Sequence, residues 1–341
     1  MIKYLFLIAV FAQGAAQAQA DVPPARSNWA VARAGGQVYA FYGLGPGKTY
    51  ADIAHDVHAF DLRTHGWRKV GDIPVDQGRL ASAALSVGGK VYLIGGYTVS
   101  AKGEEVSTPE VMRFQPASGQ FETETSMPVP VDDSLALPWR ERWIVMVSGW
   151  HDKGNVADVQ IYDTQTKTWT GATPYPGKPV FGHAGGLTGD TLVVCDGVSA
   201  DKGADGKNVF AMSDECWQGR LDTKQPEHIV WRRLPAHPGK PLYRAGAVGD
   251  AGRIVFAGGS TRPYNYNGIG YDKLPAEPSD AVFSFAPARG AWQSHPPLPE
   301  AGMDFRGLVP LGGGEYGLFG GMRAGQQVGA GVIRFRLDKA R

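Results

Sequence analysis

The stretch Gly88-Gly89-Lys90-Val91-Tyr92-Leu93-Ile94-Gly95-Gly96 constrains the fold more than any other, because it is one clean copy of a unit that recurs along the chain. A Gly-Gly turn feeds an apolar run of β-formers and a second Gly-Gly stops it, which is the pattern of a buried strand between tight turns. The phrase returns from Arg253 to Gly259 and from Glu315 to Gly321. Worn copies run from Gln37 to Gly43, Trp143 to Gly149 and Thr191 to Gly197. Successive copies lie roughly 50 to 60 residues apart, a period that suits propeller blades better than helical solenoids. Six copies predict an all-β fold, a six-bladed propeller in which residues 21–341 form a single closed domain.

After each glycine-rich strand the chain repeats a variable loop, a third strand, an aromatic and a proline. The third strands read Asp56 to Asp61, Val111 to Phe114, Val159 to Asp163, Trp217 to Asp222, Ala281 to Phe285 and Val332 to Phe335, with an alternation that gives each strand one face per neighbouring blade. Trp67, Phe121, Trp169, Trp231 and Trp292 occupy one slot, and repetition at a slot argues packing between blades. Pro74, Pro128, Pro174, Pro235 and Pro299 end the outermost strands, where a missing N–H costs least. The sixth unit runs out just after its third strand. Asp21-Val22-Pro23-Pro24 is expected to supply its fourth and close the ring.

Residues 1–20 combine Lys3, an apolar core from Tyr4 to Phe11 and the small-residue exit Ala18-Gln19-Ala20. That is the grammar of a secretory signal, with cleavage expected after Ala20, and no later stretch approaches about 18 apolar residues. The expected product is exported, with no membrane association after cleavage. A formal net charge of +1 advertises no polyanion, so nucleic acid is not an expected partner. The two cysteines, Cys195 and Cys216, end one predicted strand and begin the next, so a hairpin would bring them together. An exported pair usually forms a disulfide, and closing a loop of about 20 residues adds on the order of 3 kcal/mol. A free buried pair is the alternative; no metal or other cofactor is expected.

The repeated phrase of apolar run, Gly-Gly, variable loop, aspartate-bearing strand, Trp and Pro resembles the kelch β-propeller family. An exported six-unit chain of this kind resembles in particular the periplasmic sialic acid mutarotases (N-acetylneuraminate epimerases) of bacteria, most closely where Ile254 to Gly259 is followed by the aromatic insertion Tyr264 to Tyr271. The resemblance implies a periplasmic setting, an acidic sugar as ligand and anomer interconversion as activity. It also implies a catalytic glutamate directly after the glycine closing the second strand of the fourth unit. Val198 holds that slot here, so the family's chemistry does not transfer whole. Copper radical oxidases are also built on kelch repeats, but they need a tyrosine-crosslinked cysteine, and both cysteines here are expected to bond each other.

In a propeller the loops joining second to third strands share a face with those returning to the next innermost strand. The former are long here: 97–109, 150–156, 198–215 and 260–279. The return loops deliver Arg79, His183, Arg244 and Arg306, with Asp132, Asp133 and Asp304 close by. The arginines are expected to capture a carboxylate, and Tyr97, Trp150, Phe181, Tyr243, Tyr264 and Tyr266 to cover a pyranose. Mutarotation needs a base at the anomeric hydroxyl and an acid at the ring oxygen; His183 leads as candidate, followed by Asp196 and Asp133. Salt bridges between blades are the competing account of the arginines. A non-catalytic carbohydrate- or protein-binding propeller is the alternative function, and oligomeric state is left open.

Overall fold

A computed structural model describes residues 22–338; the expected leader lies outside them. Six antiparallel sheets stand radially around one axis; the described residues are all-β with two single-turn 3-10 helices, and no helix among them is long and apolar enough to cross a membrane. Blades 1 to 5 each have four strands. Their innermost strands are Ala30–Ala34, Ala83–Val87, Leu135–Trp139, Ala184–Thr188 and Gly246–Asp250. Their second strands, Gln37–Phe41, Lys90–Ile94, Trp143–Val147, Thr191–Cys195 and Arg253–Ala257, are the five glycine-flanked runs, and Glu315–Phe319 is the sixth. These second strands are almost wholly buried because a neighbouring blade covers each face. The doublet that ends them is conformational: Gly95 and Gly96 stand at φ 64° and 90°, the left-handed region that other residues rarely adopt.

The recurring aromatics do pack between blades. Indole N–H groups donate backward from one blade to the exit of the one before: Trp169 to the Thr125 carbonyl at 3.0 Å, Trp231 to Thr173 at 3.3 Å and Trp292 to Pro235 at 3.0 Å. Trp67 differs in that it stacks on Trp29 at 5.4 Å and meets Phe319 of blade 6 edge-on at 5.9 Å.

Ring closure differs from expectation. Blade 6 contains Val309–Gly312, Glu315–Phe319 and Val332–Arg336, and no fourth strand among the described residues. The stretch Val22 to Pro24 forms no strand, consistent with two prolines that cannot donate to a ladder. Residues just beyond them fasten the ring instead. Arg26 N–H donates to the Gly329 carbonyl at 3.0 Å and Arg26 C=O accepts from Gly321 at 2.9 Å, both in blade 6.

At the loop-rich end every blade repeats one joint, in which the return loop bridges the start of its own second-to-third loop. The six bridges are Ser27 with Leu44, Leu80 with Tyr97, Asp132 with Trp150, Phe181 with Val198, Tyr243 with Ser260 and Met303 with Met322. The next residue on each return loop is Asn28, Ala81, Asp133, Gly182, Arg244 or Asp304, and all six have positive φ, between 49° and 65°. Backbone N–H groups link these residues around the axis: Asp133 to Ala81 O (3.1 Å), Gly182 to Asp133 O (2.8 Å), Arg244 to Gly182 O (2.8 Å) and Asn28 to Asp304 O (3.1 Å). Ala81 N–H donates to the Asn28 side chain at 2.5 Å, and Phe305 N–H to Arg244 O at 3.1 Å. A hydrogen-bonded ring thus caps the channel enclosed by the innermost strands.

Gly182 tests how tightly this ring is built, since a Cβ there would lie 2.0 Å from Tyr243 Cε2. Left-handed backbone costs an L-residue about 1–2 kcal/mol, and overpacking adds about 1–3. Gly182→Ala is therefore expected to lower the urea-unfolding free energy by about 2–5 kcal/mol. Gly189→Ala, at φ 59° with open space around it, should lose only about 1–2. Equal losses would mean that backbone strain, not the ring's packing, limits the position.

Candidate functional site

The capping ring carries side chains that form a buried ionic layer. Arg244 donates from Nε and Nη2 to Asp133 Oδ2 at 2.9 and 2.5 Å, and from Nη1 to Asp304 Oδ1 at 3.0 Å. Arg306 Nη1 donates to Asp133 Oδ1, Tyr243 OH to Asp133 Oδ2 at 3.2 Å, and Asn28 Nδ2 to Asp304 Oδ1 at 3.0 Å. Burial works against ionised Asp133, but Arg244 and then Arg306 overcome it and hold the carboxyl below its usual range. Two arginines face two aspartates, so the layer is formally neutral.

This layer separates two cavities that share Arg244 in their walls. On one side lies the channel, about 270 Å³, walled mainly by apolar side chains and backbone of the innermost strands, with Ser134, His183, Arg244 and Arg306 at its capped end. On the other lies a pocket of about 100 Å³ among the long loops, lined by Tyr97, Glu105, Asp132, Asp133, Trp150, Phe181, Phe210, Arg244, Asn265, Tyr266 and Tyr271. Local hairpins hold its walls: Tyr97–Val99 pairs with Glu105–Ser107, Trp150–His151 with Gly154–Asn155, and Val198–Lys202 with Asn208–Met212. Phe210 stacks on Tyr271 at 3.8 Å, while Trp150 meets Phe181 edge-on at 5.4 Å.

Two carboxyls give the pocket its chemistry. Asp132 is buried and accepts a hydrogen bond from Ser107 Oγ at 2.6 Å; desolvation, then the charges of Asp133 and Glu105, push its pKa well above the ordinary carboxylate value. Glu105 stands at the exposed rim, and desolvation among the aromatics raises its pKa as well. Burial thus favours the protonated form of Asp132, while the arginines favour the ionised form of Asp133 beside it, a contrast of environments from which acid–base pairs are made.

The residues expected from sequence divide between these places. Tyr97, Trp150, Asp133 and Arg244 meet at the loop pocket. His183 and Arg306 line the channel below it. Tyr243 and Tyr264 are fully buried beneath the pocket, edge-on to each other at 4.9 Å and beside the Arg244 guanidinium at 4.9 and 5.4 Å. Arg79 does not join the other arginines: it pairs with Glu110 at 2.9 Å. It sits one residue before the bridged position, as Arg26 does with Asp56 in blade 1, and strand alternation turns that side chain away from the axis. Asp196 lies elsewhere too, bonded to His237 at 2.9 Å and to Leu242 N–H at 2.9 Å. Val198, in the slot where the resemblance implied glutamate, is fully buried and bridged to Phe181.

Among the pocket carboxyls, the sequence marks Asp132 only as a neighbour and does not single out Glu105; of the walls, Phe210 is not singled out and Tyr271 is named only as the end of the aromatic insertion. The available signal was Asp132 standing next to Asp133 at the end of a return loop facing three long insertions. His183 is occupied by structure, its Nε2 lying 2.9 Å from the Val147 carbonyl. That contact makes Nε2 the N–H donor, and burial favours the neutral ring.

A Kelch motif matches residues 78–128. Kelch-like protein 34 of Homo sapiens is 28% identical over 194 residues, covering 53% of this chain and 28% of its own length. Kelch-like protein 36 of Mus musculus is 23% identical over 252 residues (73% and 37%), and Kelch-like protein terF of Aspergillus terreus 24% over 314 residues (85% and 61%). The chain therefore spans less than two fifths of the length of the first two relatives. The solved structure of YjhT superposes with a TM-score of 0.74 at 14% identity, covering 94% of this chain and 97% of that one, which is a likeness of fold.

Burial holds the His183 pKa down at about 4. Between pH 6.5 and 4 the unfolded chain takes up a proton that the folded chain refuses, so stability is lost as pH falls through that window. The loss assignable to His183 is about 3 kcal/mol. His183→Gln, which keeps a donor for Val147, should show a correspondingly flatter urea-midpoint profile from pH 6.5 to 4; an unchanged slope would show that His183 titrates normally.

Proposed function

We propose that this kelch-type propeller binds a sugar in the loop-face pocket, with Trp150, Phe181, Phe210, Tyr266 and Tyr271 against the apolar faces of the ring and Asp132 and Glu105 toward its hydroxyls. The observation that carries this reading is the convergence of aromatic rings on two carboxyls in one small concavity. Aromatic faces take the C–H surface of a pyranose, and carboxyls placed at its edge accept or donate hydrogen bonds. A volume of about 100 Å³ suits one ring or a terminal residue, with the remainder projecting past Glu105.

The charge balance favours a neutral or amino sugar over an acidic one. Arg244, the cation among the described residues lining this pocket, directs Nε and both Nη atoms to Asp133 and Asp304 and is not left to capture a ligand carboxylate, while Asp132 and Glu105 would repel it once ionised. The expectation of an acidic ligand rested on the arginines acting freely.

Mutarotation is the catalytic form of the same reading, supported by the Asp132 and Glu105 pair. A protonated Asp132 would give its proton to the ring oxygen while Glu105 removes the anomeric hydroxyl proton, and ring closure reverses both transfers. Periplasmic export belongs to this reading too, and the Cys195–Cys216 disulfide supports an oxidising compartment.

Titration calorimetry and saturation-transfer NMR against neutral hexoses, hexosamines, hexuronic acids and sialic acid test the proposal. Neutral or amino sugars should bind, hexuronic and sialic acids at least about tenfold more weakly, and Trp150→Ala should weaken binding by about tenfold, near 1.4 kcal/mol. Acceleration of anomeric exchange, read by exchange NMR, should fall about 100-fold in Asp132→Asn while binding persists. Tightest binding of the acidic sugars would overturn the charge argument, and no binding by any of the panel would leave the face to a protein partner.

A further inference from the structure

Away from both cavities, between blades 4 and 5, the side chains of Asp196, Cys216 and His237 meet at one buried point, with Cys195 covalently joined to Cys216. Cys195, last of Thr191–Cys195, directly opposes Cys216, first of Cys216–Arg220, and the two are disulfide-bonded. The following residue, Asp196, leaves the strand at φ 65°, and its carboxylate meets His237 with Nε2 and Oδ1 2.9 Å apart. Ligand atoms of Asp196, Cys216 and His237 all lie within 4.8 Å of one another, and all three residues are buried. Donor atoms around a tetrahedral zinc stand about 3.3–3.8 Å apart, so seating the ion requires His237 Nε2 and Asp196 Oδ1, now 2.9 Å apart, to part slightly and the two sulfurs to separate once their bond is broken.

Each non-sulfur ligand is already oriented by a partner. His237 Nδ1 lies 2.9 Å from the Pro238 carbonyl, which fixes Nδ1 as the N–H donor and leaves Nε2 for coordination. The imidazole stacks on Phe283 with centroids 4.4 Å apart and planes 1° from parallel. Leu242 N–H holds Asp196 Oδ2 at 2.9 Å. Backbone carbonyls behind ligating histidines and donors behind ligating carboxylates are the outer contacts of built metal sites. With Nδ1–H committed, the contact between Nε2 and Oδ1 requires one further proton, and a metal ion can take that proton's place.

We propose that reduction of the Cys195–Cys216 disulfide converts this cluster into a closed zinc site with two thiolates, the His237 imidazole and the Asp196 carboxylate as ligands. A dithiol reductant supplies two electrons and two protons, becoming a cyclic disulfide while the S–S bond breaks to two thiols. Zn²⁺ then displaces both thiol protons and the proton held between His237 and Asp196, forming two Zn–S bonds, one Zn–N bond and one Zn–O bond. The oxidised chain offers no thiolate, so metal loading depends on the redox state. The mixed thiolate, imidazole and carboxylate set matches zinc and its cobalt surrogate, not calcium or magnesium.

The test uses the full chain, reduced with dithiothreitol, desalted without oxygen and titrated with Co²⁺ alone. One equivalent should bind, with thiolate-to-cobalt charge-transfer absorption and visible bands of tetrahedral intensity; the oxidised chain should show neither. Cys216→Ser, which leaves Cys195 as the one thiolate, should reduce the charge-transfer band to about half, and Cys195→Ser/Cys216→Ser should abolish it. His237→Gln and Asp196→Asn should each weaken binding by at least tenfold. Absence of the band in a folded chain with two titratable thiols would overturn the proposal, as would undiminished affinity in both His237→Gln and Asp196→Asn. If reduction unfolds the chain, refolding it with Zn²⁺ should restore the native circular dichroism, and failure to do so also overturns it.

Discussion

The six left-handed residues that cap the channel are the constraint on which the rest of the molecule depends. Each blade must turn its chain inward at Asn28, Ala81, Asp133, Gly182, Arg244 or Asp304 before its innermost strand can start, and only a positive φ lets the N–H and C=O groups point sideways to the neighbouring blades. The same turn fixes the preceding residue as the bridge to the second-to-third loop. Blade spacing, channel width and the footing of the loop pocket follow from one repeated backbone joint. Five of the six turns are made by residues other than glycine, so backbone strain is spread around the ring and borne by hydrogen bonds with few alternatives.

Charge placement on this ring decides what the pocket above it can recognise. Arg244 and Arg306 look from sequence like free cations, yet Arg244 gives Nε and both Nη groups to Asp133 and Asp304, and Arg306 gives Nη1 to Asp133. Burying arginine without those partners would cost several kcal/mol per ion, so the aspartates are required by burial before any ligand is considered. What remains to face the pocket is acidic: Asp132, displaced by one residue from the ionic layer and therefore unpaired with arginine, and Glu105 at the rim. A single step in register separates a carboxyl whose pKa the arginines lower from one whose pKa burial raises.

That step also marks the limit of what the sequence discloses. Glycine doublets, alternating third strands and the recurring tryptophans report local backbone geometry and packing period, and these translate directly into blades. Pairing of Cys195 with Cys216 follows from the same strand logic, since the two residues stand opposite each other across one ladder. The direction of a loop side chain has no such periodic signal. Arg79 and Arg244 both precede an innermost strand, but they occupy different steps of the joint, and one points to Glu110 while the other points to the axis. Phe210 and Tyr271 come from different blades, and nothing near either in the chain reports that they stack. The fold was legible because it is local and repeated; the pocket was not, because it is assembled once from non-repeating insertions.

Closure shows why the capping ring carries charge and not only backbone bonds. Many-bladed rings must join first blade to last, and blade 6 has no fourth strand among the described residues to be shared with the chain's start. The join instead consists of Arg26 clipped to Gly321 and Gly329, with Asn28 giving its backbone N–H and its amide to Asp304. Residues 276 positions apart must find each other for that last contact to form. Asp304 accepts from both Asn28 and Arg244, and Asp133 from both Arg244 and Arg306, so the ionic layer connects blades 1, 3, 5 and 6 in one network. An apolar cap could be equally stable, but it would tolerate a rotated or shifted blade. Directional, fully buried charge pairs tolerate neither, because any slip leaves an unpaired ion out of water. The layer therefore acts as a lock on blade order and register, and the neutrality that removes its arginines from ligand binding follows from that task.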